Sequence, residues 1–334
     1  MSTKEETSET ESLHFFDPHF HIWNLSKNPP IHDVNILFPP NNDPNYTLAK
    51  YEAEFQGNDD NTDAVIPCTH IGGVFMEAMS VCYPSEENIN CQCLEEASWV
   101  IETIRRDNCN NKEYVVVGSV CLEADDASET LRSLAALSGE VSFVGIRQIV
   151  NKDPSWPRNG VRDDFLTNLK WQNGYSLLEN HQLSFDLQCN PSQFTTAAKF
   201  ISNHTNIPVI VNHMGCFLGK DLEDDSSWKG LEDLAALSHV FIKISMLCYT
   251  HKDWDTKGKG REETFNSVNR VITMFGVERC MFASNFPVDA KDGWCAKRLL
   301  STFVELLREY GYNEKEMEMM FSKNAMRVYK VETK

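Results

Sequence analysis

The sequence predicts a single (β/α)8 barrel, and three observations carry that reading. Eight short apolar runs rich in β-branched and aromatic residues recur along the chain. Nearly all are separated by segments of helical periodicity, which implies parallel strands joined by right-handed crossovers. Polar residues sit late in most of these runs, where a barrel of this kind carries its chemistry. Eight such units over about 250 residues suit a closed barrel. A doubly wound open sheet is the alternative, but no G-x-G-x-x-G follows the first strand to support it. The domain expectation is an acidic, disordered tail over 1–12 and one barrel over 13–331.

Each element has its own signal. Residues 1–12 (MSTKEETSETES) are polar and acidic with no apolar period. FFDPHFHIW (15–23) reads as the first strand. Residues 24–68 carry Pro29, Pro30, Pro39, Pro40 and an Asn/Asp-rich run at 58–63, and so long a segment suits a lid over a site. Residues 71–79 form the second strand and 93–106 a helix with apolar Leu94, Ala97, Val100, Ile101 and Ile104. Alternation is then regular. Strands are expected at 114–122, 143–150, 183–189, 208–215, 240–247 and 279–287. Helices are expected at 127–137, 164–181, 191–204, 228–237, 262–275, 293–310 and 314–328.

Composition narrows the function. The 334 residues are 41% hydrophobic and 24% charged, ordinary for a soluble globular protein. A formal charge of −18 argues against nucleic acid and anionic membrane surfaces as partners and leaves a small molecule. No apolar run reaches the roughly 18 residues of a membrane span, and no signal peptide opens the chain. The eleven cysteines are scattered, so they read as reduced thiols of a cytoplasmic protein. Cys82, Cys91 and Cys93 cluster, but their spacing fits no standard zinc finger.

The chemistry-bearing residues follow from strand position. His19 and His21, two apart on the first strand, point to one face, with Asp17 expected beside them. Two such imidazoles can grip a divalent metal or hold and protonate a substrate; they can also be satisfied core histidines. The other strands add Glu77, Arg147, Gln188, His213, Lys243 with Ser245, and Ser284 with Asn285. Buried charges are costly unless paired or used, so Glu77 and Lys243 either face substrate or pair with Arg147 or each other. His204, His239 and His251 fall in helices or loops, away from the expected mouth.

FDPHFHIW, FVGIRQIV, VIVNHMG, the run from Trp228 through VFIKISML, RCMFASNFPVD and KNAMRVYKV resemble, in order, the amidohydrolase-related proteins over roughly residues 14–331. The resemblance implies a barrel hydrolase or lyase acting on a small ring or lactone, often one bearing a carboxylate. It implies a divalent ion, zinc or manganese, on His19 and His21, with His213 as ligand or base. Arg147 would clamp a substrate carboxylate in two-pronged fashion, with Glu77, Gln188 and Lys243 on the substrate side. Two residues depart from the pattern. Gln188 stands where metal-dependent relatives have histidine, and Asn285 where the family has its proton-accepting aspartate. An amide cannot act as a general base, so the expectation is weak metal binding, proton transfer by His213 and positioning by Asn285. A metal-free lactonase, a decarboxylase-type lyase and a metabolite-binding pseudoenzyme are the alternatives. Substrate identity and oligomeric state are not legible.

Overall fold

The computed structural model describes residues 13–24, 45–56, 66–78, 88–108, 110, 112–152, 164–292 and 294–331. The eight barrel strands are β1 (Leu13–Phe20), β2 (Cys68–Met76), β3 (Glu113–Gly118), β4 (Ser142–Arg147), β5 (Ser184–Leu187), β6 (Val209–Val211), β7 (Val240–Ile244) and β8 (Cys280–Phe282). They pair in parallel in chain order. The seam between β8 and β1 is closed at its C-terminal end. There Phe20 bridges Phe286, Asn285 N–H donates to His19 O (2.8 Å), and His21 N–H donates to Phe286 O (2.8 Å).

Helices return the chain between strands: α1 (Leu48–Ala53), α2 (Ile89–Asp107), α3 (Ala127–Ala136), α4 (Leu169–Asn180), α5 (Phe194–Ile201), α6 (Asp225–Ala235) and α7 (Lys259–Phe275). After β8 come α8 (Ala296–Glu309), α9 (Glu314–Glu318) and α10 (Asn324–Val328). The expected single helix over 164–181 is instead a 3₁₀ turn and α4, because Asn168 is extended and caps Lys170 and Trp171 N–H. The expected helix over 314–328 is broken by a π turn at Met319–Lys323. Asn313 opens α9 with a capping box to Glu316.

Side chains alternate between two cores. The outward set packs between sheet and helices. The inward set joins Phe16, Val74, Met76, Val115, Val117, Ile210, Phe241 and Met281 to Ala325, Val328 and Tyr329, so the last helix plugs the barrel interior from below. Strand β2 lies close on its neighbours, which two glycines permit. A Cβ on Gly72 (φ 140°) would meet Glu113 O at 1.9 Å, and one on Gly73 would meet Asp17 O at 2.6 Å.

The expected lid falls mostly outside the described residues, at 25–44 and 57–65. The part described is a short antiparallel pair (Trp23–Asn24 with Asn45–Tyr46) and α1. The acidic segment 1–12 and Cys82 are also outside. Cys91 and Cys93 lie in the first turn of α2, one exposed and one buried, on different faces. The described cysteines are free thiols, and no described helix is long and apolar enough to cross a membrane.

Candidate active site

Strand β1 sets the geometry. Asp17 pairs with Gly73 and Phe20 with Phe75, so three residues of β1 oppose two of β2: a bulge around Pro18, which has no N–H to give the ladder. The bulge breaks the alternation expected from the sequence. Asp17 turns away from His19 and His21 and instead joins strand ends. It accepts from Ser284 N–H (3.0 Å), Ser284 Oγ (2.5 Å), His19 N–H (3.1 Å) and Tyr51 OH (2.8 Å). Burial raises its carboxyl to about 6 against the pull of these donors.

Past the bulge, His19 and His21 do share a side, with ring centroids 5.0 Å apart. His213, at the end of β6, brings its ring to 4.5 Å from that of His19. Eight described non-glycine residues have φ in the left-handed region. Five of them, His213, Met214, Cys216, Met246 and Asn285, follow β6, β7 and β8. Such backbone costs about 1–2 kcal/mol per residue, and its concentration at one mouth marks a place where side-chain aim outweighs backbone ease.

Arg147 ends β4 with its side chain only 2% exposed. Its Nε donates to Glu77 Oε1 (2.6 Å), Nη2 to Glu77 O (2.9 Å) and Nη1 to Gln188 Oε1 (3.0 Å), with Asn212 Oδ1 at 3.5 Å and His19 Nε2 at 3.4 Å. A guanidinium has five N–H groups, so a single Nη2 proton remains. The two-pronged carboxylate clamp expected of Arg147 does not form, because Glu77 already neutralises it from the neighbouring strands. Lys243 is likewise spent inside the barrel. Its Nζ donates to Asp186 Oδ1 (2.6 Å), and the same carboxylate accepts from Tyr329 OH and from Asn212 Nδ2 (2.8 Å). Burial lowers this ammonium to about 8, against the opposing attraction of Asp186.

The partners fix how the polar side chains face. A guanidinium only donates, so His19 Nε2 supplies the lone pair and Nδ1 carries the hydrogen; that buried Nδ1 has no hydrogen-bond partner. Burial first, then the charges of His213, Lys243 and Arg147, push the His19 imidazole well below its ordinary range, so it is neutral. His21 Nδ1 donates to Met76 O (2.8 Å), and His213 Nδ1 meets Ser245 Oγ (2.9 Å). Gln188 gives its oxygen to Arg147, which leaves Nε2 buried and unbonded. Asn285 gives its Nδ2 to Asp289 Oδ1 (2.9 Å), which leaves Oδ1 buried and unbonded. The mouth therefore presents two donors, His19 Nδ1 and Gln188 Nε2, and one acceptor, Asn285 Oδ1.

The donor set does not fit a divalent ion. Among the described residues no three His, Cys, Asp or Glu side chains are grouped as ligands. The lone pair of His19 and the carboxylate of Glu77 both face Arg147. An ion bound at His19 Nε2 would lie against the Arg147 guanidinium, whose positive charge repels it.

Sequence reasoning brought His19, His21, Arg147, His213, Gln188, Glu77 and Asn285 to one mouth, and placed Lys243 there where it belongs to the interior. It missed three residues, Asn212, Asp186 and Glu96. Asn212, next to His213, bridges Arg147 and Asp186. Asp186 was visible as an acid within an apolar strand. Glu96 of α2 lies behind Glu77, donating nothing but accepting from Ala78 N–H (2.9 Å); burial, then the Glu77 charge, raise it to about 8. Its spacing from Cys93 and Val100 put it on the apolar helix face, which was the available signal. Asp289, four residues beyond Asn285, accepts from Asn285 Nδ2 and from Met246 N–H (3.1 Å). His204, His239 and His251 lie half-buried away from the mouth. An open groove of about 540 Å³ lined by Pro67, Ser301, Val304, Glu305, Arg308 and Glu309 is on the outer layer and holds none of this chemistry.

Known proteins resemble this chain in sequence and fold. An uncharacterised protein of Sinorhizobium fredii, y4mH, is 27% identical over 196 residues, 57% of this chain and 62% of that relative's length. An amidohydrolase of Burkholderia multivorans with bound zinc superposes with a TM-score of 0.71 at 16% identity, over 96% of this chain and all of that one. A proposed 2-pyrone-4,6-dicarboxylic acid hydrolase of Pseudomonas putida gives 0.66 at 14% identity, over 96% and 99%. Likeness at these identities speaks for the fold. The amidohydrolase family model matches residues 16–331, nearly the whole barrel, and the chain belongs to the amidohydrolase family.

Proposed function

We propose that this amidohydrolase-family chain hydrolyses a small ring ester of the lactone type, with His213 as general base. The observation that carries the reading is that two buried donors, His19 Nδ1 and Gln188 Nε2, and one buried acceptor, Asn285 Oδ1, are left without partners at the strand ends where the His213 ring packs on that of His19. Ester hydrolysis asks for that complement: an acceptor to aim a water, a base to take its proton, and donors for the oxyanion. Asn285 Oδ1 accepts from the attacking water, and His213 removes its other proton. The carbonyl oxygen becomes an oxyanion held by the Nδ1–H of neutral His19 and by Gln188 Nε2. His213 then returns the proton to the leaving ring oxygen. Because Arg147 and Lys243 are both paired internally, the reading does not require a carboxylate on the substrate.

The test is a panel of γ- and δ-lactones and pyrone esters followed by acid release with a pH indicator. Turnover should fall about 10²–10⁴-fold in His213→Asn and less in Asn285→Ala. No hydrolysis across the panel, or an unchanged rate in His213→Asn, overturns the assignment.

A further inference from the structure

The geometry points to Arg147 as a built-in cation: its guanidinium takes the place at this mouth that a divalent ion would need, and together with Gln188 in place of a third imidazole it keeps the site from holding a metal. Four contacts carry this. Nη1 sits 3.4 Å from the lone pair of His19, the first histidine of the H-x-H pair. The same nitrogen draws in the neutral oxygen of Gln188 at 3.0 Å. Glu77, the carboxylate at this mouth, is turned onto Nε at 2.6 Å, with its backbone oxygen on Nη2. Guanidinium and carboxylate are each about 2% exposed, so neither is replaced by water. The His19 lone pair and the Glu77 carboxylate are therefore turned toward a fixed positive charge.

That charge has a purpose of its own. A cation against His19 Nε2 keeps the ring's hydrogen on Nδ1 and makes that N–H a better donor, as a metal would polarise a bound group. The role differs from a structural ion pair, since it predicts what happens when the charge is removed. Taking away the guanidinium removes the positive charge from beside the His19 lone pair and the Glu77 carboxylate. Replacing Gln188 by histidine adds a third imidazole beside them, and neutral imidazoles with one carboxylate are a zinc set.

The experiment needs no substrate, so its failure is distinct from failure of the lactonase reading. Wild type and the double variant Arg147→Met with Gln188→His are dialysed against zinc chloride, desalted and analysed for bound zinc, with thermal melting in the presence and absence of zinc. Wild type is expected to retain less than a tenth of an equivalent and to show no zinc-dependent shift. The double variant is expected to retain close to one equivalent and to melt several degrees higher with zinc. A folded double variant that holds no more zinc than wild type overturns the inference. So that the answer does not depend on that variant folding, wild type is also titrated with zinc against a chromophoric chelator. Zinc binding by wild type that outcompetes the chelator overturns the inference; zinc taken wholly by the chelator supports it.

Discussion

Replacing Glu77 by glutamine should be among the most damaging single-atom changes in this protein. The amide keeps the shape of the side chain and can still accept from Arg147 Nε, but it leaves the guanidinium without its counter-charge. Both partners are about 2% exposed, so solvent does not screen the loss. Breaking a buried pair from one side costs about 3–5 kcal/mol. For a barrel of roughly 300 ordered residues the unfolding entropy is about 0.6 kcal/mol/K, so the melting temperature should fall by about 5–8 °C. Scanning calorimetry and urea unfolding measure it. The double variant Glu77→Gln with Arg147→Met, which removes both charges, should recover part of the loss, because uncharged side chains of similar volume often replace a buried pair at little cost. A shift below about 1 °C in Glu77→Gln, or a double variant worse than the sum of its parts, would refute the argument that this pair is self-contained.

Three further outcomes follow from the same contacts. Arg147→Lys should lower the melting temperature with KM almost unchanged, since a lysine cannot reproduce the forked bonds to Glu77 and Gln188; a rise in KM alone would restore the carboxylate-clamp role. Glu96 has its folded-state pKa raised to about 8 from the ordinary carboxylate range, so the native protein holds a proton that the unfolded chain gives up. The sign of the linkage is then fixed: relative to Glu96→Gln, wild-type stability is greatest below about pH 4.5, falls as pH rises, and levels off above about 8, which urea titrations of both proteins at several pH values will show. Asp17→Asn should loosen the β8–β1 seam, leaving a buried donor unsatisfied at about 1–3 kcal/mol, with faster amide hydrogen exchange at Ser284 and Asn285 than in wild type; unchanged exchange there would deny Asp17 its role.

How much was legible in the sequence depended on the range of the cause. The barrel was, because eight apolar runs with intervening helical periods constrain topology through local pattern and crossover handedness alone. The placement of the candidate residues at the mouth was legible for the same reason, since polar side chains late in buried strands have one place to go in a barrel. His19, His21, His213 and Asn285 were found this way. Their facing was not. The bulge that separates Asp17 from the histidines is a register event between β1 and β2, opposite Gly73 and Phe75 some 55 residues away, and no local period records it.

Partner choice was equally hidden. Strand position marked Glu77, Arg147 and Lys243 as buried charges but left open whether they pair among themselves, and it overlooked Asp186. The structure resolves this by distance: Glu77 with Arg147 and Asp186 with Lys243, each at 2.6 Å. The sequence by itself determined the barrel, its mouth and the residue types that line it. Only the tertiary structure decided that both cations are already paired and that Gln188 leaves its nitrogen and Asn285 its oxygen without a partner, because charge pairing and amide orientation depend on contacts between strands far apart in the chain.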